Sequence, residues 1–283
     1  MAKYIGAIRM SQMLQIDTGT DDLLAEIRDR VGVITLNRPQ ARNAISKGMK
    51  VAWSELIKRF ADDPHVGAIL ITATGTAFCA GGDVKGMGQG SAIVEATFGE
   101  RVADLRADQR KLIGELFAVR KPTVAALPGA AAGAGLALAL ACDIRIAAQS
   151  AILTTSYARV ALSGDCGIAW LLTRLVGVSR ARELMLLAER IDARRAESLG
   201  LLNRVVEDAE LPKSAFELAA SLAQGPTFAF SCMKDNLDHA TASGLLESMD
   251  YEAENLIKAE LTLDHKEGVR AFAEKRKPVF EGR

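Results

Sequence analysis

Two glycine-rich stretches have the residue types best suited to chemistry in this 283-residue chain: GTAFCAGGDVKGMGQG at 75–90 and GAAAGAG at 129–135. Each follows an apolar run that reads as a buried strand, and each opens onto a helical pattern. That geometry points backbone N–H groups into a cleft, and glycine or alanine lets a ligand come close to them. Neither stretch ends in Gly-Lys-Ser/Thr, so neither is a phosphate-cradling P-loop. GAAAGAG lies mid-chain with no acidic residue about twenty positions on at the end of a second strand, a poor match to a dinucleotide fingerprint. Taken singly, each loop is explained equally well as a tight strand-to-helix turn. Taken together, two such loops from adjacent strands can converge on one oxygen and form an oxyanion hole. Other chemistry has less support. Cys79 and Cys166 lie near the loops, but no histidine neighbours them in sequence to make a thiolate nucleophile. His65, His239 and His265 have no metal-ligand spacing to each other or to the four cysteines, so no metal site is expected.

The loops need a scaffold, and the chain spells one out. Residues 23–39 carry apolar runs on either side of Arg28-Asp29-Arg30, which predicts a β-hairpin closed by Pro39. Ser46 is placed to cap a helix whose Val51, Leu56, Ile57 and Phe60 recur at helical spacing, ended by residues 62–64. Residues 67–74 and 123–129 are short apolar strands of the kind buried on both faces. A helix over 98–119 stops at Lys121-Pro122, and a short buried one covers 135–142. Two strands lie within 143–156, two helical patterns within 167–200 are split by Gly177, and a last strand covers 203–206. From about Leu211 the pattern is helical until Lys277-Pro278. Strands alternating with helices predict an α/β core with a mostly parallel sheet. We divide the chain into a flexible leader (1–21), a core (22–210) and a helical C-terminal region (211–283). Trp53 and Trp170 fall on helices and are expected to be packed, and Asp143 is expected to make structural hydrogen bonds.

Lysine plus arginine and aspartate plus glutamate are 35 each, so the formal charge is zero. That excludes a protein built mainly to hold a nucleic-acid backbone. The four cysteines are scattered with no CxxC pair, which points to a reducing, cytoplasmic setting. Residues 123–142 are uncharged over the length of a membrane span, but Pro128, Gly129, Gly133 and Gly135 cut that run into strand, loop and short helix. No membrane partner is expected.

Five segments, in order, resemble the crotonase, or enoyl-CoA hydratase/isomerase, superfamily: Asn37-Arg38-Pro39 with Asn43-Ala44, AFCAGGDVK at 77–85, KPTVAALPGAAAGAGLALALACDIRIA at 121–147, AESLGLLNRVV at 196–206 and AFAEKRKPVFEGR at 271–283. The resemblance implies a crotonase spiral of ββα units whose C-terminal helices make a homotrimer or a dimer of trimers. It implies an acyl-CoA substrate, with CoA part of that substrate and no separate cofactor. The thioester oxygen would accept N–H bonds from Gly82 and Ala134, fixed donors that stabilise a developing oxyanion more than the ground state. Ala44, Ala80, Asp83, Val84 and Lys85 would border the substrate. The basic tail (Lys275, Arg276, Lys277) with Phe280 would be placed to reach CoA phosphates or adenine, or else stand as a solvated helix end.

The chain departs from the family at the acids. The two glutamates that handle water in a typical hydratase fall at Ala137 and Tyr157. Alanine does not titrate, and a phenol with a pKa of about 10 is a poor base at neutral pH, though a good hydrogen-bond donor. One carboxylate remains, Asp165, at a position where a dienoyl-CoA isomerase and an aryl-CoA dehalogenase of the superfamily carry an aspartate. The dehalogenase's helical histidine base would fall at Arg110. Asp165 can act as acid, base or nucleophile beside a thioester, or it can cap a helix starting near Cys166. Tyr157 can orient the acyl group or simply pack. The resemblance therefore implies an acyl-CoA isomerase or hydrolase that uses Asp165 and Tyr157. The alternatives are a catalytically silent acyl-CoA-binding protein and an oligomeric scaffold.

Overall fold

The structure is a computed structural model that describes residues 13–82 and 96–282. The predicted hairpin forms as β2 (Leu23–Arg28) and β3 (Val31–Leu36), joined by a two-residue turn in which Asp29 and Arg30 both take the left-handed conformation. Such a turn matches the twist of the strands it joins. Ahead of it, β1 (Leu14–Ile16) pairs antiparallel with β2, so part of the expected leader is an edge strand. The chain then enters α1 (Lys47–Asp62), with the Ser46 hydroxyl accepting the Met49 N–H at 3.0 Å.

Beyond α1, the chain lays successive strands alternately into two sheets. β4 (Ala68–Ala73), β6 (Thr123–Leu127) and β8 (Ile144–Ala148) join the larger sheet. β5 (Ala77–Cys79), β7 (Ala130–Ala132) and β9 (Ile152–Thr154) join the smaller. Between them come α2 (Phe98–Gln109), a π-helical turn at Arg110–Gly114, α3 (Glu115–Ala118), α4 (Ala134–Leu140) and α5 (Ile168–Leu187). The two halves of α5 meet at the non-helical Gly177, as its sequence pattern predicts. β10 (Ile191–Asp192), α6 (Ala193–Ser198) and β11 (Arg204–Val206) complete the sheets. Among the described residues the larger sheet runs β1-β2-β3-β4-β6-β8-β11 and the smaller β10-β9-β7-β5. This is a spiral in which each ββ unit gives one strand to each sheet. The alternation has a direct consequence: β5 and β7, short strands that form inside the two glycine-rich stretches where only loops are expected, lie side by side and parallel.

The larger sheet is buried on both faces. Ile34, Ile69 and Ile71 meet α1 and α4 on one side, while Val31, Val33, Leu70 and Val124 meet α7 (Leu211–Ala223) on the other. Along α7 the contact is made by Leu211, Ala215, Ala219 and Ala223, a stripe at every fourth residue that lets helix and sheet approach closely. The boundary placed after residue 210 thus separates the sheet from a helix that covers it. α8 (Thr227–Ala240), α9 (Leu245–Glu260) and α10 (Leu263–Ala273) follow, and they expose Leu237, Leu256, Leu261 and Phe272.

Two packing expectations are corrected. α1 buries Met49, Trp53, Leu56, Ile57 and Phe60, but Val51 is 69% exposed. Nine residues separate Val51 from Phe60, two and a half helical turns, which puts them on opposite faces. Trp53 is buried, its indole N–H donating to the Leu112 carbonyl at 2.9 Å, whereas Trp170 is 43% exposed. Asp143 is structural as expected: it accepts the N–H and hydroxyl of Thr123 and pairs with Lys234.

Candidate active site

The two glycine loops press against each other at the ends of β5 and β7. Gly81 has φ +87°, and a Cβ there would lie 2.8 Å from the Ala132 oxygen and 3.2 Å from the Ala134 nitrogen. A Cβ at Gly135 would fall 2.3 Å from the Cys79 oxygen. Only glycine lets the two backbones come this close. Ala134 is the first residue of α4, so its N–H has no acceptor within the helix. Among the described residues no other group accepts it, nor the N–H of Gly82. The two expected donors therefore lie on adjoining loops, without an acceptor among the described residues.

The Asn43–Ala44 segment buttresses the first loop. The fully buried Asn43 donates to the carbonyls of Thr74 (2.9 Å) and Ala77 (2.8 Å), and its side-chain oxygen accepts the Arg38 N–H. Ala80 N–H donates to the Arg42 carbonyl and Ile45 N–H to that of Gly81. Ala44 is buried, and Ala80 is exposed at the rim. Asp83, Val84 and Lys85 lie outside the described residues.

Beside the second loop, the Tyr157 hydroxyl donates to Asp165 Oδ1 at 2.6 Å, and the ring sits 3.7 Å from where a Gly133 Cβ would be. Burial, together with the Asp165 carboxylate that accepts its proton, holds the Tyr157 phenol far above its ordinary value. It remains a donor at any physiological pH. The other family glutamate position, Ala137, is fully buried on α4.

Asp165 does not cap a helix. α5 starts at Ile168 with Gly167 in the capping position and no side-chain cap; the carboxylate instead meets the Tyr157 hydroxyl and the Cys166 thiol. The loop that carries it is held in left-handed backbone at Gly164 (φ +105°), Cys166 (φ +54°) and Gly167 (φ +70°). For Cys166 that is an uncommon conformation, and Gln109 secures it: its Oε1 accepts the Cys166 N–H at 2.9 Å. Gln109 is a residue the sequence reading missed. It is the last residue before the π turn, and nothing in its surroundings marks it.

The thiols are inert. Burial pushes both Cys79 and Cys166 up to about 12, so neither is a thiolate at neutral pH. Among the described residues no group of three or more His, Cys, Asp or Glu side chains is placed to hold a metal, and no helix is long and apolar enough to cross a membrane. The basic tail is partly committed elsewhere. Arg276 pairs with Glu267 and Glu274, and Phe280 packs over Gly268. Those pairings, with Arg270, hold the Glu267 carboxyl well below the usual range.

A spiral of ββ units whose paired short strands bring two glycine loops together defines a class, and comparison with known proteins names it. The family model described as enoyl-CoA hydratase/isomerase matches residues 26–283, and the chain belongs to that family, with its crotonase fold. It is 37% identical over 263 residues to a Mycobacterium tuberculosis protein named probable enoyl-CoA hydratase, covering 93% of this chain and 99% of the relative. It is 34% identical over 261 residues to the 1,2-epoxyphenylacetyl-CoA isomerase of Escherichia coli, covering 92% and 98%. The crystal structure of an enoyl-CoA hydratase from Polaromonas sp. superposes with a TM-score of 0.85 at 30% identity, covering 91% of this chain and 99% of that one. The family is thus one of acyl-CoA enzymes, and its named members differ in reaction.

Proposed function

We propose that this protein is an acyl-CoA isomerase that stabilises a thioester enolate with the N–H groups of Gly82 and Ala134 and moves the proton with Asp165. The observation that carries this reading is the Tyr157–Asp165 hydrogen bond, formed beside Gly133 of the loop that bears Ala134. Asp165 removes a proton from an acyl carbon activated by the thioester. The electron pair delocalises onto the thioester oxygen, where two fixed donors meet it. The same carboxyl returns the proton at the far end of the conjugated system. Atoms balance without water or a co-reactant. Tyr157 holds the carboxylate in place through the whole cycle, because its own proton does not leave. Addition of water by two glutamates has no counterpart at Ala137 and Tyr157. CoA belongs to the substrate, no separate cofactor takes part, and the apolar faces of α8 to α10 associate into a trimer or a pair of trimers.

A second reading has its own support. Ala137, at the position of the first family glutamate, carries no titratable group, which suits a protein that binds acyl-CoA without turning it over.

The test is a turnover screen against crotonyl-, 3-enoyl-, dienoyl- and aryl-CoA thioesters, following C=C absorbance and CoA release. A double-bond shift that is lost in Asp165→Ala, with acyl-CoA affinity kept, is the expected result. Release of CoA lost in the same variant makes the enzyme an Asp165-dependent hydrolase. Crotonyl-CoA hydration at roughly 10 per second or more that survives Asp165→Ala overturns the proposal. Binding without any turnover supports the silent reading.

A further inference from the structure

A groove runs from the Asp165 loop between the helix of 98–118 and α5, enclosing about 400 Å³. Its near end is the Gln109–Cys166 hydrogen bond, so it begins one residue from Asp165. Its floor is Ile113 and Leu171, both buried. Its far end is an aromatic corner: Phe117 and Trp170 meet edge to face, with ring centroids 5.2 Å apart and planes at 86°. The Arg174 guanidinium lies 3.6 Å over the Trp170 ring. The π turn at Arg110–Gly114 lies along this wall and gives the helix one extra residue in the turn that faces the groove.

We propose that this groove takes the acyl part of the substrate, that the acyl group carries an aromatic ring, and that Trp170 is the residue that selects it. The inference rests on reading the site as one for acyl-CoA thioesters. Trp170 is large, apolar and 43% exposed, yet its ring is held in a fixed orientation by Phe117 and Arg174. A preorganised aromatic surface loses little entropy when it binds. A ring laid against it gains edge-to-face or stacked contact beyond the area buried, whereas an alkyl chain gains the area alone. Arg106 and Arg110 flank Gln109 at the near end, and among the described residues no acidic side chain lines the groove.

The probes are phenylacetyl-CoA, hexanoyl-CoA and glutaryl-CoA, saturated thioesters whose binding needs no turnover. The chain has two tryptophans, and Trp53 is buried with its N–H committed, so ligand-dependent fluorescence reports on Trp170. Phenylacetyl-CoA is expected to quench that signal and to bind about fivefold tighter than hexanoyl-CoA. In Trp170→Leu the preference should disappear by calorimetry while hexanoyl-CoA affinity holds, and Trp170→Phe should restore it. Equal affinities, tighter binding of glutaryl-CoA, or a Trp170→Leu change that weakens all three alike or shifts the oligomeric state overturns the assignment of Trp170. If no thioester binds, the acyl-CoA reading falls with it. If hexanoyl-CoA binds best, that reading stands and only the aromatic selectivity fails.

Discussion

On one side of the candidate site, Gly81 and Ala134 stand so close that no other backbone geometry fits. On the other, the Tyr157 hydroxyl meets the Asp165 carboxylate, and Gln109 from a distant stretch of chain holds the neighbouring Cys166 backbone. The first side is made of peptide groups, identical at every residue, so its specification reduces to steric permission: small residues wherever two backbones converge. The second is made of functional groups, so it can be replaced one side chain at a time without disturbing the loops. In this chain the backbone side retains the family pattern and the side-chain side departs from it, at Ala137 and Tyr157. The oxyanion is a feature of thioester chemistry in general, while the placement of acids decides which reaction follows.

That contrast can be broken from either side. Asp165→Ala should lower turnover about 1000-fold with the melting temperature nearly unchanged, measured by steady-state kinetics beside thermal unfolding. A large drop in melting temperature would make Asp165 a structural residue. Gly135→Ala should do the reverse and destabilise the fold by about 3 kcal/mol, because the new Cβ meets the Cys79 carbonyl, which cannot yield. Its control is Gly114→Ala, where the nearest atom is 3.9 Å away and helix propensity favours alanine by up to about 1 kcal/mol. Urea midpoints of the two variants would show the comparison to be mistaken if they moved together.

Tyr157→Phe keeps the ring and removes the donor. We expect kcat to fall about tenfold, the worth of a hydrogen bond to a charged group, with KM changed less. Equal effects on both would mean the hydroxyl contacts substrate in the ground state. The smallest effect is on alkaline stability. Burial holds Cys79, Cys142 and Cys166 at about 12 in the folded protein against an ordinary 9.0. Below pH 9 they are protonated in both states and contribute nothing to the pH dependence. As pH rises from 9 towards 12 the unfolded chain ionises first, and folding loses stability. Urea midpoints measured across that window should fall, and fall less in Cys79→Ala.

Much of the scaffold was legible. The hairpin strands and the turn at Asp29-Arg30 follow from alternating polarity, the α1 start from Ser46, and the break in α5 from Gly177. Each of these signals lies within one turn or one strand of the feature it specifies. What escaped was non-local or weakly patterned. β1 and β5 are three residues each and form because a partner strand is present. Val51 and Trp170 look apolar and helical, and only packing decides that they face outward. Asp165 before a helix reads as a cap, and the helix begins too late to use it.

The amino-acid sequence by itself determined most of the longer elements and the two glycine-rich stretches and, through its resemblance to the family, the loss of both glutamates and the survival of one aspartate. These are properties of residue type and short-range spacing, fixed by sterics and periodicity. The tertiary structure alone decided that the two loops adjoin through β5 and β7, that the Tyr157 hydroxyl donates to Asp165, and that Gln109 reaches across 57 residues to hold the Asp165 loop at Cys166. Hydrogen bonds of that reach carry no sequence signature, because any glutamine can accept an N–H, and only the folded chain brings one within 3 Å of it.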